Sequence, residues 1–207
     1  MIEFWTNPMS RGQIAHWMLE ELGQPYTTNW LDWGPNGNKS ADYLAINPMG
    51  KVPTIRHDGK VVTEAAAICL YLADAFPQAK LKPVNTGELA DYYRHTLFAA
   101  GPMEQAITAN AMKWQVPEGR DSSAGFGTYD AAVNALEVML TGRDYVCGST
   151  FTAADVYVGS TVDWGLMFKS IPTRPAFEDY AARLRERPAY KSAKAINAAR
   201  MAETEKA

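Results

Sequence analysis

The sequence feature that most constrains the fold lies at residues 47–66, where a proline stands just before two short strand-like segments. Residues 52–55 and 61–63 are rich in β-branched side chains, which favour strands. The pair Asp58-Gly59 between them is typical of a type I′ hairpin. Because Pro53 can donate no ladder hydrogen bond, it belongs at the first residue or the edge of a strand. The pattern alone fits either a structural turn or a binding loop.

Segments on both sides of this stretch extend it into one α/β unit. The apolar residues 2–5 and residues 25–31 predict two strands. Apolar residues recur at helical spacing between those strands, and the alanine-rich run 65–72 predicts a helix after the hairpin. The order β-α-β, hairpin, helix therefore implies a single mixed sheet with helices packed on it.

Two four-residue segments have the form of a helix capping box. One is Ser10-Arg11-Gly12-Gln13 and the other is Thr152-Ala153-Ala154-Asp155. In such a box, the first side chain accepts a hydrogen bond from the backbone amide of the fourth residue. The pattern therefore predicts a helix N-terminus at each segment, with the Ser10 hydroxyl bonded to the amide of Gln13.

The second half of the chain is predicted to be all helical. Residues 80–87 are the best linker candidate, and the strand signals almost vanish after them. Residues 88–116 predict a long helix with a kink or break at Gly101-Pro102. Further helical patterns follow at residues 129–142, from residue 152, at 175–187 and at 189–200. The predicted organisation is an α/β domain at 1–79, a linker at 80–87 and an all-α domain at 88–207.

Charge and residue spacing argue against several classes of function. The net charge of −3 provides no strong field for nucleic acid or an anionic membrane. His16, His57 and His95 do not have metal-ligand spacing, so no metal site is expected. The sequence contains no glycine-rich dinucleotide or P-loop motif. It also contains no apolar stretch long enough to span a bilayer. We therefore expect no nucleic-acid and no membrane partner.

The two cysteines, Cys69 and Cys147, are far apart in sequence and form no C-x-x-C motif. Two free thiols in a chain whose first residues show no signal-peptide pattern predict a cytoplasmic protein. Both cysteines are predicted to be buried core thiols rather than nucleophiles.

The order and spacing of several short motifs resemble those of the soluble glutathione S-transferases, of a bacterial and serine type. These motifs are Pro8-Met9-Ser10-Arg11-Gly12, Leu19-Glu20-Glu21-Leu22-Gly23, Asn47-Pro48-Met49-Gly50-Lys51-Val52-Pro53, Glu64-Ala65, Phe151-Thr152-Ala153-Ala154-Asp155 and Arg187-Pro188-Ala189-Tyr190. The resemblance spans nearly the whole chain. It implies a thioredoxin-like N-terminal domain, an all-α C-terminal domain and a homodimer.

The resemblance also implies residue roles in binding glutathione and activating its thiol. Ser10 would be the catalytic residue and would hydrogen-bond the glutathione sulfur. The implied binding residues are Lys39 and Lys51 at the glycyl carboxylate, Val52 with a cis bond to Pro53 at the cysteinyl backbone, and Glu64 and Ala65 at the γ-glutamyl end. Met9, Phe98, Trp114, Trp164 and Phe168 are candidates to line an electrophile pocket, although core packing is the favoured interpretation of each of the four aromatic residues.

Two residues depart from the family pattern. The family usually has Ser or Thr where this chain has Ala65, so one hydroxyl donor to a carboxylate is lost, at a cost of roughly 1.5–3 kcal/mol. Many bacterial relatives carry a cysteine where this chain has Ser10, which argues against thiol-disulfide exchange through a protein thiol.

Alternatives remain at the level of residues and of function. Ser10 could serve only as a helix cap, Glu64 as a first-turn acid, and the two lysines as surface charges. The predicted function is conjugation of glutathione to small apolar electrophiles. The alternatives are a non-catalytic protein that binds glutathione or hydrophobic ligands and, less favoured, a folding or interaction module of the same fold.

Overall fold

The computed structural model describes residues 1–204, and contacts within it divide the chain into two units. The first unit comprises Met1–Lys80 together with the chain from Glu186, and the second is Leu81–Arg185. The C-terminal helix therefore groups with the N-terminal sheet. The boundaries at 79 and 88 remain a prediction.

Strands and helices follow the order expected from the sequence. The strands are β1 (Ile2–Thr6), β2 (Tyr26–Trp30), β3 (Thr54–His57) and β4 (Lys60–Thr63). The helices are α1 (Gly12–Leu22), α2 (Ala41–Ile46), α3 (Ala65–Ala75), α4 (Thr86–Phe98), α5 (Glu104–Ala111), α6 (Tyr129–Leu140), α7 (Ala153–Met167), α8 (Pro175–Arg185) and α9 (Pro188–Thr204). The short helix α2 was not predicted, because its six residues are too few to show a helical period.

The first unit is built on a mixed sheet with the strand order β2-β1-β3-β4. Strands β1 and β2 are parallel, whereas β1–β3 and β3–β4 are antiparallel. Helix α1 packs against both α3 and α9. This arrangement confirms the predicted thioredoxin-like sheet with helices packed on it.

The hairpin between β3 and β4 has the predicted turn. Asp58 and Gly59 have φ values of 49° and 78°. A type I′ turn needs a positive φ at both central positions, so the prediction is confirmed. Pro53 precedes the first residue of β3, where its missing N–H costs no ladder bond.

The second unit contains helices α4 to α8. The long helix predicted at residues 88–116 is interrupted where the sequence predicts a break. A π-helical turn at Ala99–Met103, with Pro102 inside it, separates α4 from α5. The predicted extension of this helix to residue 116 is wrong, since α5 ends at Ala111. Lys113 adopts a positive φ of 56°, a conformation that an α-helix cannot continue through.

Both cysteines are buried in the core, as predicted. Burial raises the pKa of Cys147 to about 12 and that of Cys69 still further. Neither thiol therefore forms a nucleophilic thiolate near neutral pH. Within residues 1–204, no helix combines the length and the apolar character needed to cross a membrane.

Candidate active site

Strand register brings three predicted site segments to one edge of the sheet. Trp5 of β1 pairs with Thr54 of β3, and Thr54 pairs with Thr63 of β4. The end of β1, the start of β3 and the end of β4 therefore lie side by side. Ser10 lies in the turn after β1, Val52 lies just before β3, and Glu64 directly follows β4. The sheet topology thus places these three predicted residues at loops along a common edge.

The Ser10 hydroxyl is held inside the turn that precedes α1. It donates a hydrogen bond to the Asn7 carbonyl at 2.6 Å and accepts one from the Gly12 amide at 2.9 Å. The predicted bond from the Gln13 amide to the Ser10 hydroxyl is wrong, because that amide donates to the Ser10 backbone carbonyl instead. The physical reason is register: Arg11, which has helical φ and ψ, occupies the N-cap position.

Asn7 and Gly12 shape this turn. The Asn7 side chain donates to the Leu31 carbonyl at 2.8 Å and accepts from the Met9 amide at 2.9 Å. Gly12 is required because an added Cβ would lie only 1.8 Å from Thr6 Oγ1. Sequence reasoning missed the role of Asn7, although an Asn-Pro pair is a recognised turn signal.

A buried polar cluster fixes the loop that contains Val52. The Tyr43 hydroxyl and the Asn47 side-chain amide both donate to the Lys51 carbonyl. Both groups also bond the Thr54 hydroxyl, at 2.8 and 3.1 Å. Burial raises the pKa of Tyr43, so its phenol stays protonated and can donate. These side chains were not predicted as part of the site, and Asn47 was quoted only as part of a motif.

The main chain of Val52 is available to a ligand. The Val52–Pro53 peptide bond is cis, as the resemblance implies. Between residues 1 and 204, no partner is found for the N–H or the C=O of Val52. An extended peptide could therefore pair with both groups, in the manner of an added strand.

Lys39 and Lys51 carry exposed side chains beside this loop. The Lys39 ammonium donates to the Met49 carbonyl at 2.9 Å. Gly50 lies against that side chain with φ of 57°, and an added Cβ would come within 2.8 Å of Lys39 Nζ. The two lysines therefore place positive charge next to the Val52 loop, where a carboxylate would be favoured.

Glu64 and Ala65 form the entry to α3. Glu64 occupies the N-cap position with φ of 65°, a conformation that is uncommon for a residue with a side chain. The alternative role of a first-turn acid is wrong, because Glu64 precedes the first turn. The Glu64 side chain is exposed, whereas Ala65 is buried. The first amides of α3 lack intrahelical acceptors and can bind an anion.

The five predicted pocket residues lie outside the core of their units. Met9, Trp114 and Phe168 are 74%, 65% and 70% exposed. Phe98 and Trp164 are partly buried. Core packing is therefore wrong as an explanation of Trp114 and Phe168, and the pocket itself remains a prediction. Over residues 1–204, no group of three or more His, Cys, Asp or Glu side chains is placed to hold a metal ion.

Comparisons with known protein families find matches in both units of the chain. The model of the glutathione S-transferase N-terminal domain matches residues 9–75, and the model of the C-terminal domain matches residues 117–188. Glutathione S-transferase A of Pleuronectes platessa is 29% identical over 185 residues, which cover 84% of this chain and 82% of that protein.

Solved structures give the same result at the level of the fold. A glutathione transferase from Methylococcus capsulatus is 25% identical with a TM-score of 0.78, and the match covers 96% of this chain and 99% of that one. A theta class enzyme from Xanthomonas axonopodis pv. citri, solved with glutathione bound, is 28% identical with a TM-score of 0.72. That match covers 93% of this chain and 96% of the other.

Proposed function

Because the chain belongs to the glutathione S-transferase family, we propose that it is a glutathione transferase of the bacterial, serine type. It activates the glutathione thiol as a thiolate and conjugates it to small apolar electrophiles. The observation that carries this proposal is the Ser10 hydroxyl, which lies at the shared sheet edge and accepts a hydrogen bond from the Gly12 amide.

The energy required for thiol activation matches what this turn can supply. A free thiol has a pKa of about 8.5, and lowering it by about two requires roughly 2.7 kcal/mol. One hydrogen bond from the Ser10 hydroxyl to the sulfur anion contributes roughly 1.5–3 kcal/mol. The N-terminus of α1 adds roughly 0.3–1 kcal/mol through its dipole. No general base is therefore needed to maintain the thiolate near neutral pH.

The single proton of the Ser10 hydroxyl must change its acceptor when glutathione binds. In the structure, the hydroxyl donates this proton to the Asn7 carbonyl. Rotation about the Cβ–Oγ bond would turn the same proton toward the sulfur. The Gly12 amide continues to donate to the oxygen, which holds the oxygen in place and strengthens its O–H as a donor.

Glutathione would be bound by the residues along the same sheet edge. The N–H and C=O of Val52, beside Pro53, would pair with the cysteinyl backbone. Lys39 and Lys51 would bind the glycyl carboxylate. Glu64 would bind the γ-glutamyl ammonium, and the amide of Ala65 would bind the γ-glutamyl carboxylate. Because Ala65 lacks a hydroxyl, we expect weaker glutathione binding than with serine there, by roughly 1.5–3 kcal/mol.

The remaining parts of the proposal concern the second substrate and the assembly. Met9, Phe98, Trp114, Trp164 and Phe168 would contact the apolar electrophile. The protein would act as a cytoplasmic homodimer. Native mass spectrometry tests the assembly, and a monomer as the main species at micromolar concentration would contradict it.

A titration of the glutathione thiol on the protein tests the function. Thiolate absorbance is followed against pH for wild type and for Ser10→Ala. We expect a thiol pKa well below that of free glutathione in wild type, and a return toward the free value in the variant. Turnover that is unaffected by Ser10→Ala on every active electrophile would rule out the role of Ser10.

Two observations favour a second candidate, a non-catalytic carrier of glutathione or hydrophobic ligands. Ala65 removes a donor for glutathione, while Trp114 and Phe168 expose large aromatic surfaces. Tight ligand binding with an unshifted thiol pKa and no turnover would support the carrier. Turnover across a panel of electrophiles would exclude it.

A further inference from the structure

The side chain of Gln13 connects the Ser10 turn to the C-terminal helix. Its Nε2 donates to the Pro8 carbonyl at 2.6 Å. Its Oε1 accepts from Lys194 Nζ at 3.1 Å. Lys194 belongs to α9, and its ammonium also lies 5.4 Å from the centre of the Tyr190 ring. A residue 181 positions away from Gln13 thus reaches the turn through a single side chain.

The Pro8 carbonyl belongs to the peptide unit between Pro8 and Met9, one peptide before the unit that leads into Ser10. The N–H of this unit, on Met9, donates to Asn7 Oδ1 at 2.9 Å. The C=O of the same unit accepts the bond from Gln13. Asn7 and Gln13 therefore hold opposite sides of one peptide plane, and Ser10 is the residue after Met9. Rotation of this plane would move the Ser10 hydroxyl away from the Gly12 amide.

Helix α9 is fixed on α1 by contacts that do not involve Lys194. Arg187, the residue just before α9, forms two hydrogen bonds with the Glu21 carboxylate, at 2.6 and 2.7 Å. Asn197 donates to the His16 ring at 3.1 Å, and Ser192 bonds Glu20. Because these contacts hold the helix in place, Lys194 is presented to Gln13 from a rigid support. Loss of Lys194 should therefore remove the link to the turn without releasing the helix.

We propose that Gln13 is a positioning residue for Ser10 and that Lys194 of α9 holds Gln13 in its working orientation, an inference that rests on the proposed function. Lys194 fixes the Gln13 carbonyl oxygen, and this directs the side-chain N–H of Gln13 at the Pro8 carbonyl. The clamped Pro8–Met9 peptide then keeps the Ser10 hydroxyl within reach of the glutathione sulfur. The C-terminal helix in this way controls thiolate formation at a site near the N-terminus.

Three substitutions separate the two links of this chain of contacts. Gln13→Glu keeps an acceptor for Lys194 but has no N–H to donate to Pro8. Lys194→Met keeps the Gln13–Pro8 bond but loses the link to α9, and Lys194→Arg keeps a cationic donor. Lys191→Met is the matched control, because Lys191 lies on the same helix and pairs with the exposed Glu186.

Two kinds of measurement are made on the full chain. The first gives the thiol pKa of bound glutathione together with kcat and KM. The second is hydrogen exchange of the Gly12 amide in the absence of ligand. For Gln13→Glu we expect about a tenfold lower kcat, a higher thiol pKa and faster Gly12 exchange, with KM for the electrophile little changed. For Lys194→Met we expect changes in the same direction, with kcat about threefold lower than in wild type. Lys194→Arg should restore the wild-type values. Lys191→Met should match wild type.

The outcomes distinguish this inference from the proposed function. If Lys194→Met behaves as Lys191→Met in both measurements, the inference is overturned while the transferase function stands. Faster exchange with an unchanged thiol pKa overturns it as well, since the contact would then be structural only. If wild type forms no thiolate, the proposed function fails. Gly12 exchange alone then decides whether Lys194 and Gln13 hold the turn.

Discussion

The segments at residues 10–13 and 152–155 share one sequence pattern but form different structures. At the second segment, both halves of a capping box are present. The Asp155 carboxylate accepts from the Thr152 amide at 2.8 Å and from its hydroxyl at 3.1 Å. At the first segment, the Ser10 hydroxyl bonds Asn7 and Gly12, and the Gln13 side chain bonds Pro8. The same pattern therefore builds a helix cap in one unit and a turn in the other.

The difference lies in how completely each hydroxyl and its partners are enclosed. Asp155 is fully buried and also accepts from the Val146 amide and the Tyr180 hydroxyl. Burial raises the pKa of this carboxyl to about 6, against the lowering effect of those hydrogen bonds. Ser10, by contrast, is partly exposed. The pattern is enclosed by folding contacts at Thr152, whereas at Ser10 it leaves a partly exposed hydroxyl, the group that the proposed function uses.

The largest expected effect is on stability, from Asp155→Ala. Four donated hydrogen bonds lose their acceptor in a fully buried site. We expect the free energy of unfolding to fall by about 3–5 kcal/mol. Urea denaturation followed by circular dichroism measures it. Asp144→Ala, at a side chain that is 68% exposed, is the control and should cost less than about 0.5 kcal/mol. Equal losses of stability in the two variants would contradict the view that the Asp155 carboxylate is enclosed by contacts that hold the fold.

The next effect is on chemistry, from Ser10→Ala. Loss of the bond to the sulfur anion should lower kcat/KM by about 100-fold, which corresponds to about 2.7 kcal/mol. Stability should change by about 1 kcal/mol or less, because the hydroxyl is partly exposed and only the Asn7 and Gly12 groups lose a partner. Steady-state kinetics and urea denaturation measure the two quantities. A variant that loses stability but keeps activity would make Ser10 a cap, like Thr152.

A third effect comes from Gly12→Ala, which places a methyl group where Thr6 Oγ1 already lies. The turn must shift, and we expect a loss of stability of about 1–3 kcal/mol together with reduced turnover. Gly101→Ala is the matched control, since a Cβ there meets no atom within 4 Å. Thermal unfolding and kinetics of both variants provide the measurement. Wild-type values for Gly12→Ala would show that the turn accepts a side chain.

The same two segments show how much of the structure could be predicted from the sequence. The strands, the hairpin and the second capping box follow from local patterns, because short-range propensities and neighbouring hydrogen bonds decide them. The register of the first cap did not follow, since the backbone angles of Arg11 move it by one residue. The contact between Gln13 and Lys194 depends on the packing of α9 on α1, which no local pattern encodes. The site roles came from family resemblance, and local patterns alone left them open.

The smallest expected effect comes from Thr152→Ala, which removes the hydroxyl from the complete box. We expect a loss of about 1–2 kcal/mol, because the site is buried and the hydroxyl also bonds Asp155. Thr128→Ala removes a simpler, exposed cap, in which the hydroxyl only accepts from the Ala131 amide, and should cost about 0.5–1 kcal/mol. Neither should alter the thiol pKa of bound glutathione. Urea denaturation and the thiol titration test both variants. A Thr152→Ala protein with normal stability would show that Asp155 alone forms the cap, whereas a raised thiol pKa would mean that the box in the second unit also serves the chemistry at Ser10.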